Sequence, residues 1–385
     1  MEMVRTVKLI LKTPPEVLLP TVEAFTKAYN YVCKVGFKDK DRNGVSLHHK
    51  TYYKCRKYLT ADLTCSARAK AIESLKSVHT HQIEELKKAK HEERKPEILS
   101  CPESKQESIR YNDKTYTISF EKSIVSLQTL DGRIKIPFEM CEYFKKYLTW
   151  ERRSAELFVR DGIVYLHISF RKSADEVVSN NKIVGVDRGI KKLAVTSDNR
   201  FFGGGHVKQV SDRYQKLRSV LQSKGHSGKR HFLQIKRKEN RFRSDVNHCI
   251  SKKIISTLQP GTTLVLEDLT GIRERTIHKR RKKNRREHSS WSYFQLEFFL
   301  KYKAEAKGVI FAHVDARYTS QRCSKCGHIE KGNRTKQAIF KCKHCGFQLN
   351  ADLNASRNIV CKHLDAKSYQ DEVSQRTLCS PPTAA

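Results

Sequence analysis

Residues 182–204, KIVGVDRGIKKLAVTSDNRFFGG, decide the fold of this chain, because they predict three short antiparallel strands, the first of which ends on Asp187. Working outward, residues 207–258 predict long and highly basic helices. Residues 262–269, TTLVLEDL, predict a buried strand of β-branched and aliphatic side chains. SYFQLEFFLKYKAEAK (292–307) follows as a helix, and GVIFAHVD (308–315) as another strand. Three antiparallel strands, a helix, then strands alternating with helices is the order of an RNase H-like (RuvC) α/β domain, which begins near Lys182.

Three acids stand at the ends of these elements. Asp187 follows the apolar run Ile183–Val186, where an unpaired carboxylate is costly to bury, so something cationic should compensate it. Glu267 ends the run Leu264–Leu266, and Asp352 precedes the helix-like LNASRNIV. Any one of them alone could be a strand-end or helix-capping acid. Together in one cleft they would be the oxygen ligands that Mg²⁺ or Mn²⁺ takes, with sites left for water and phosphate. Asp268 competes with Glu267, since side chains alternate along a strand and one of the two faces away; alternation does not say which.

Cys323-Ser-Lys-Cys326-Gly and Cys342-Lys-His-Cys345-Gly, with fifteen residues between the pairs, are spaced as a Cys₄ zinc ribbon. His328 and His344 are near enough in sequence to compete as ligands. With four thiolates supplied, the expected zinc is closed, tetrahedral and structural. The other eight of the twelve cysteines show no ligand spacing.

The N-terminal half alternates. Residues 3–12 suit a half-buried strand, 14–36 turn helical, and 66–90 form an amphipathic basic helix; strand patterns return from residue 111, with turns at Asp131-Gly132 and Asp161-Gly162. A small β-barrel from residues 1–12 and 110–175, with helices of 13–109 inserted, fits this order. Residues 173–181, SADEVVSNN, predict a linker, 317–349 the ribbon, 350–364 the last part of the nuclease-like domain, and 365–385 a disordered tail.

With 385 residues, 38% of them hydrophobic, the chain can bury the cores of two or three domains. Its 76 Lys and Arg against 41 Asp and Glu give a formal charge of +35, which calls for a polyanionic partner. Residues 273–288, RERTIHKRRKKNRREH, place nine Lys or Arg in sixteen positions, including Arg280, Arg281, Lys282 and Lys283. These, and the basic helices around Arg213–Arg243, are suited to phosphate contact without sequence reading. There is no run of 18 apolar residues and no signal-peptide pattern at MEMVRTVKLILK, so a cytoplasmic protein with no membrane partner is expected, nucleoid-associated in a prokaryote.

Residues 182–362 resemble the TnpB family, transposon-encoded relatives of the type V CRISPR effectors. The matching pieces are GVDRGIKKLAV, LVLEDLTGI, QLEFFLKYKAEAKG, VDARYTSQRCSKCG and CKHCGFQLNADLNASRNI. The resemblance implies that Asp187, Glu267 and Asp352 form a metal-binding catalytic triad, and that the four cysteines form the ribbon inserted before the last acid. It favours Glu267 over Asp268. It implies a wedge barrel and a helical recognition lobe in the N-terminal half, and a guide RNA transcribed from the transposon end. The target would be double-stranded DNA beside a short duplex motif, contacted through Tyr52, Tyr53, Lys70 and Ser74. The implied activity is an RNA-guided, Mg²⁺-dependent DNA endonuclease, one protein chain per ribonucleoprotein, leaving 5′-phosphate and 3′-hydroxyl ends. A guided repressor, a CRISPR-associated miniature effector and a strand-transferring transposase are the rival readings.

Overall fold

A computed structural model describes residues 2–173, 176–271 and 292–378, and the chain divides at Ser173 into two compact units. In the first, β1 (Glu2–Leu11) buries Val7, Leu9 and Leu11 and turns Lys8 and Ile10 outward, the two-residue period of a half-buried strand. It runs antiparallel to both β5 (Gly132–Met140) and β7 (Ile163–Ser173). With β2 (Ile109–Tyr111), β3 (Tyr116–Ser119), β4 (Ile124–Thr129) and β6 (Glu151–Arg160) the sheet order is β2-β6-β7-β1-β5-β4-β3. The edge strands β2 and β3 are consecutive in the chain, joined by a turn in which Asn112 Oδ1 accepts from the amides of Lys114 and Thr115, both at 3.1 Å. The seven strands therefore curl into a nearly closed sheet. The Asp-Gly turns sit where expected, with Gly132 and Gly162 at φ +100° and +77°.

Three helices, α1 (Leu19–Lys38), α2 (Gly44–Arg56) and α3 (Ala61–His91), pack on this sheet. Val22, Phe25, Leu63 and Ala67 join Leu9, Leu157 and Leu166 in one buried core, so the helices and strands of this half form a single packed unit.

The second unit is built on a five-stranded sheet of order β10-β9-β8-β11-β12. β8 (Ile183–Asp187), β9 (Lys192–Thr196) and β10 (Arg200–Gly203) are the antiparallel set expected, while β11 (Thr263–Asp268) and β12 (Ile310–Asp315) run parallel to β8. Two long helices, α4 (Gly205–Ser223) and α5 (Lys229–Ser256), follow β10, and α6 (Tyr293–Lys307) connects β11 to β12. Ile254, Leu296, Leu300 and Ala304 of α5 and α6 bury one face of the sheet against Val186, Leu264 and Leu266. The other face, carrying Ile183, Val265, Ala312 and Val314, packs on Ile359 of the last helix, α7 (Ala351–Leu378). The short hairpin β13 (Ile339–Lys341) and β14 (Gln348–Asn350) lies between.

Helix α7 continues through residues 365–378 to Leu378. No glycine or proline interrupts the chain before Pro381, and Arg322 holds Asp365 at 2.7 Å. Residues 379–385 lie outside the described residues. No described helix is long and apolar enough to cross a membrane.

Helix α7 approaches β8 at Gly185, where a Cβ would stand 2.2 Å from the Ser356 carbonyl oxygen and 3.0 Å from Val360 Cγ2. Backbone cannot yield as a side chain can, so Gly185→Ala should cost about 1–3 kcal/mol or more and lower the melting temperature. At Gly205 an added Cβ meets nothing within 4 Å, and Gly205→Ala should leave the melting temperature nearly unchanged. Equal melting of the two variants would contradict this packing.

Candidate active site and metal centres

Asp187 and Glu267 close neighbouring parallel strands whose register pairs Val186 with Leu266, so the two carboxylates follow at the same level. Alternation then sorts the faces: Glu267 shares the face of Val265, which α7 covers, and is 8% exposed. Asp268 turns to the other side and is exposed, its Oδ1 accepting from the Thr270 amide at 2.9 Å. That bond and one to the Thr270 hydroxyl hold its carboxyl below the usual range. Asp352 arrives from the first turn of α7, where Asn350 Oδ1 caps the helix by accepting from the amides of Asp352 at 3.1 Å and Leu353 at 3.2 Å.

Asp187 feels the other two acids. Burial, then the negative charges of Glu267 and Asp352, hold the Asp187 carboxyl well above the usual carboxylate range, with Arg334 and Arg188 opposing. Burial also raises Glu267, against the Thr319 hydroxyl, Arg188 and Lys362. The three carboxylates offer oxygen donors alone, the kind a hard divalent cation takes, although their oxygens do not all lie within 4.8 Å of one another.

Sequence reasoning missed the cations that hold these acids. The Arg188 side chain is fully buried and donates to the Glu267 carbonyl at 2.6 Å, the Tyr293 carbonyl at 3.3 Å and Glu297 Oε2 at 2.5 Å, tying β8 and β11 to the start of α6. Arg334, between the two cysteine pairs, donates to Asp352 Oδ1 at 3.0 Å and the Gln337 carbonyl at 2.7 Å. Arg188 had a signal in its place beside a buried acid, whereas Arg334 is one of many arginines and had none.

The cysteines form a second centre. Among the described residues they are the group of three or more metal-binding side chains whose donor atoms all lie within 4.8 Å of one another. Cys323 and Cys345 sulfurs are 3.8 Å apart, and those of Cys326 and Cys342 3.7 Å. Tetrahedral ligation with Zn–S bonds of 2.3 Å requires about 3.8 Å, so the set fits zinc. Each pair sits in the same turn: Gly327 and Gly346, at φ +77° and +71°, donate to the Cys323 and Cys342 carbonyls at 2.9 and 3.0 Å. Burial pushes the Cys342 thiol up, but the Cys345 and His344 amides outweigh it and bring it down to about 7. His328 and His344 stack on each other at 5.4 Å, outside the sulfur group.

The expected nucleic-acid contacts divide. Tyr53 is 78% exposed, and Tyr52 stacks on His48 at 4.4 Å. Lys70 and Ser74 have partners inside the unit: Lys70 is buried, with Nζ 2.8 Å from Glu107 and 2.9 Å from the Ser108 carbonyl, and half-buried Ser74 accepts from the Tyr29 hydroxyl at 2.8 Å. Their partners lie far off in sequence, which is why helical periodicity could not reveal them. Arg280, Arg281, Lys282 and Lys283 lie outside the described residues. On α4 and α5, Arg213, Lys216, Lys238 and Arg241 are exposed, while buried Glu239 gathers Arg218, Ser211 at 3.1 Å and Arg243 at 2.6 Å into a latch between the helices.

Comparisons with known proteins agree with this layout. Residues 167–273 match the family model OrfB_IS605, described as "Probable transposase", and residues 293–359 match "Cas12f1-like, TNB domain". A CRISPR-associated endodeoxyribonuclease Cas12f1 of Sulfoacidibacillus thermotolerans is 35% identical over 223 residues, 52% of this chain and 50% of that protein. A TnpB-like protein of Methanocaldococcus jannaschii is 32% identical over 164 residues, 42% of this chain and 54% of that one. The chain thus spans about half the length of the curated relatives it matches. A solved Cas12f1–sgRNA–target DNA complex superposes with TM-score 0.61 and 18% identity, over 88% of this chain and 81% of that one. The chain is similar to the TnpB and Cas12f1 proteins in sequence, and it has the multidomain, RuvC-containing α/β fold of the Cas12 effectors.

The sulfur geometry generates a direct test. Metal analysis of the purified protein should find about one zinc per chain. Cys342→Ser should lose that zinc and melt at lower temperature, because the core around Cys323, Phe340, Cys342 and Ala351 is too small to fold alone. Zinc-free protein with unaltered melting would contradict it.

Proposed function

We propose that this chain is an RNA-guided DNA endonuclease in which Asp187, Glu267 and Asp352 hold divalent cations, Mg²⁺ or Mn²⁺, and hydrolyse phosphodiester bonds. The observation that carries the reading is the placing of three acids, drawn from β8, β11 and α7, so that Asp187 feels the charges of both Glu267 and Asp352. When bound, the cations supply Lewis acidity for the attacking water and for the leaving 3′ oxygen.

The chain's own residues do the positioning. Arg188 fixes the backbone of Glu267, so the carboxylate keeps its place at the strand end. Asn350 fixes the first turn of α7 and with it Asp352. Arg334 neutralises Asp352 and lies within electrostatic reach of Asp187, so a bound phosphate would meet a guanidinium there. The exposed basic side chains of α4 and α5 supply phosphate contacts that carry no sequence information. Target choice then falls to base pairing with a bound guide RNA. The nearly closed sheet is the wedge, α1 to α3 the recognition lobe, and residues 317–349 a structural zinc ribbon. Retention of all three acids disfavours a guided repressor, and the name of the relative from Sulfoacidibacillus thermotolerans, an endodeoxyribonuclease, favours cleavage over strand transfer.

The test pairs chemistry with guidance. On a plasmid carrying target and flanking motif, a matched RNA should support cutting and a scrambled RNA should not; replacing the guide segment should move the cut to the new sequence. Asp187→Ala, Glu267→Ala and Asp352→Ala should each reduce cutting to background while RNA and DNA remain bound, and Asp268→Ala should still cut. Cutting without RNA, or by the triad variants in Mg²⁺, would overturn the proposal.

A further inference from the structure

Helices α1 and α2 enclose a cleft of about 620 Å³, lined by Lys27 and Tyr31 from α1 and by Tyr53, Lys54, Lys57 and Tyr58 from α2 and the residues that follow it. The lining is three phenol rings and three ammonium groups, with no carboxylate among them. Lys27 Nζ stands 4.6 Å from the Tyr58 ring centre and Lys54 Nζ 4.5 Å from that of Tyr31, each lysine reaching across to the other helix's ring. Such pairs help to hold two helices together. They do not account for Tyr53, whose ring is 78% exposed at the cleft, nor for three like charges gathered without an acid to answer them. Exposed aromatic rings interleaved with cations are the surface on which unpaired nucleic acid is held: bases stack on the rings and phosphates take the ammonium groups. A duplex hides its base faces in its own stack and offers only phosphates, so the rings specify an unpaired strand.

We propose that the cleft between α1 and α2 binds an unpaired stretch of nucleic acid, with a base stacked on Tyr53 and the flanking phosphates on Lys27, Lys54 and Lys57. This site lies wholly within the first unit and does not depend on whether the chain cuts DNA. It also gives Tyr53 a different role from contact with a duplex motif.

Photo-cross-linking of the full chain tests it, using a 12-nucleotide single strand with one central 5-iodouracil, made once as RNA and once as DNA. Irradiation followed by peptide mapping should place the cross-link on Tyr53 or Tyr31. Unlabelled single strand should compete and a blunt duplex of equal length should not. Tyr53→Ala, an exposed substitution whose melting temperature is checked in parallel, should lower the yield about fivefold or more. Lys54→Gln should weaken the salt dependence of binding by about one counterion. Cross-linking by the RNA arm, the DNA arm or both supports the site and identifies the strand it holds. Asp187→Ala protein should cross-link like the wild type, so loss of the nuclease reading would leave this result standing. Cross-links confined to residues outside 27–58, equal competition by duplex, or undiminished yield from Tyr53→Ala would overturn it.

Discussion

Repulsion of the Asp187 carboxylate by Glu267 and Asp352 is the constraint on which the second unit depends. Charges of one sign held together in a medium of low effective dielectric repel by more than a surface ion pair returns. The fold meets this cost with cations drawn from separate elements. Arg188 from the end of β8 reaches the β11 backbone, Lys362 from α7 and Arg334 from the ribbon add positive charge, and the Asp187 carboxyl stays hard to ionise all the same. A carboxyl that burial and two neighbouring acids keep from ionising is favoured in its charged form by a concentrated positive charge, which is what a divalent cation is.

The two candidate metal centres are joined by the chain that builds them. Residues too few to form a core of their own are organised by four sulfurs, and the same segment carries Arg334 to Asp352. Helix α7 locks the arrangement through two fully buried asparagines. Asn354 accepts from the Ser324 amide at 3.0 Å and donates to the Arg322 carbonyl at 2.8 Å, while Asn358 donates to the Thr319 carbonyl at 2.8 Å. The Thr319 hydroxyl in turn favours the ionised form of Glu267. The cysteine segment is thereby coupled to Asp352 through the Arg334 hydrogen bond and reaches the surroundings of Glu267 through Thr319, so that loosening its sulfur centre would loosen the acids as well.

Much of this was legible in the sequence because its signals are local. Apolar runs ending in an acid marked Asp187 and Glu267, cysteine spacing marked the second centre, and Asp-Gly pairs marked the hairpins. What escaped is non-local. The face on which Glu267 rather than Asp268 falls depends on where α7 packs, and Lys70 is a core cation because Glu107 and Ser108 come back to it from a later segment. The start of the last helix was legible in LNASRNIV, while its polar continuation from Asp365 carries no apolar period to mark it, although no glycine or proline stands in it before Pro381.

Anomalous scattering from crystals of the intact protein grown with manganese tests whether Asp187, Glu267 and Asp352 form one cation site. Manganese is expected bound by all three carboxylates, with Arg334 withdrawn from Asp352. Manganese held elsewhere, with the Arg334–Asp352 pair intact in a protein that still cuts DNA, would contradict it.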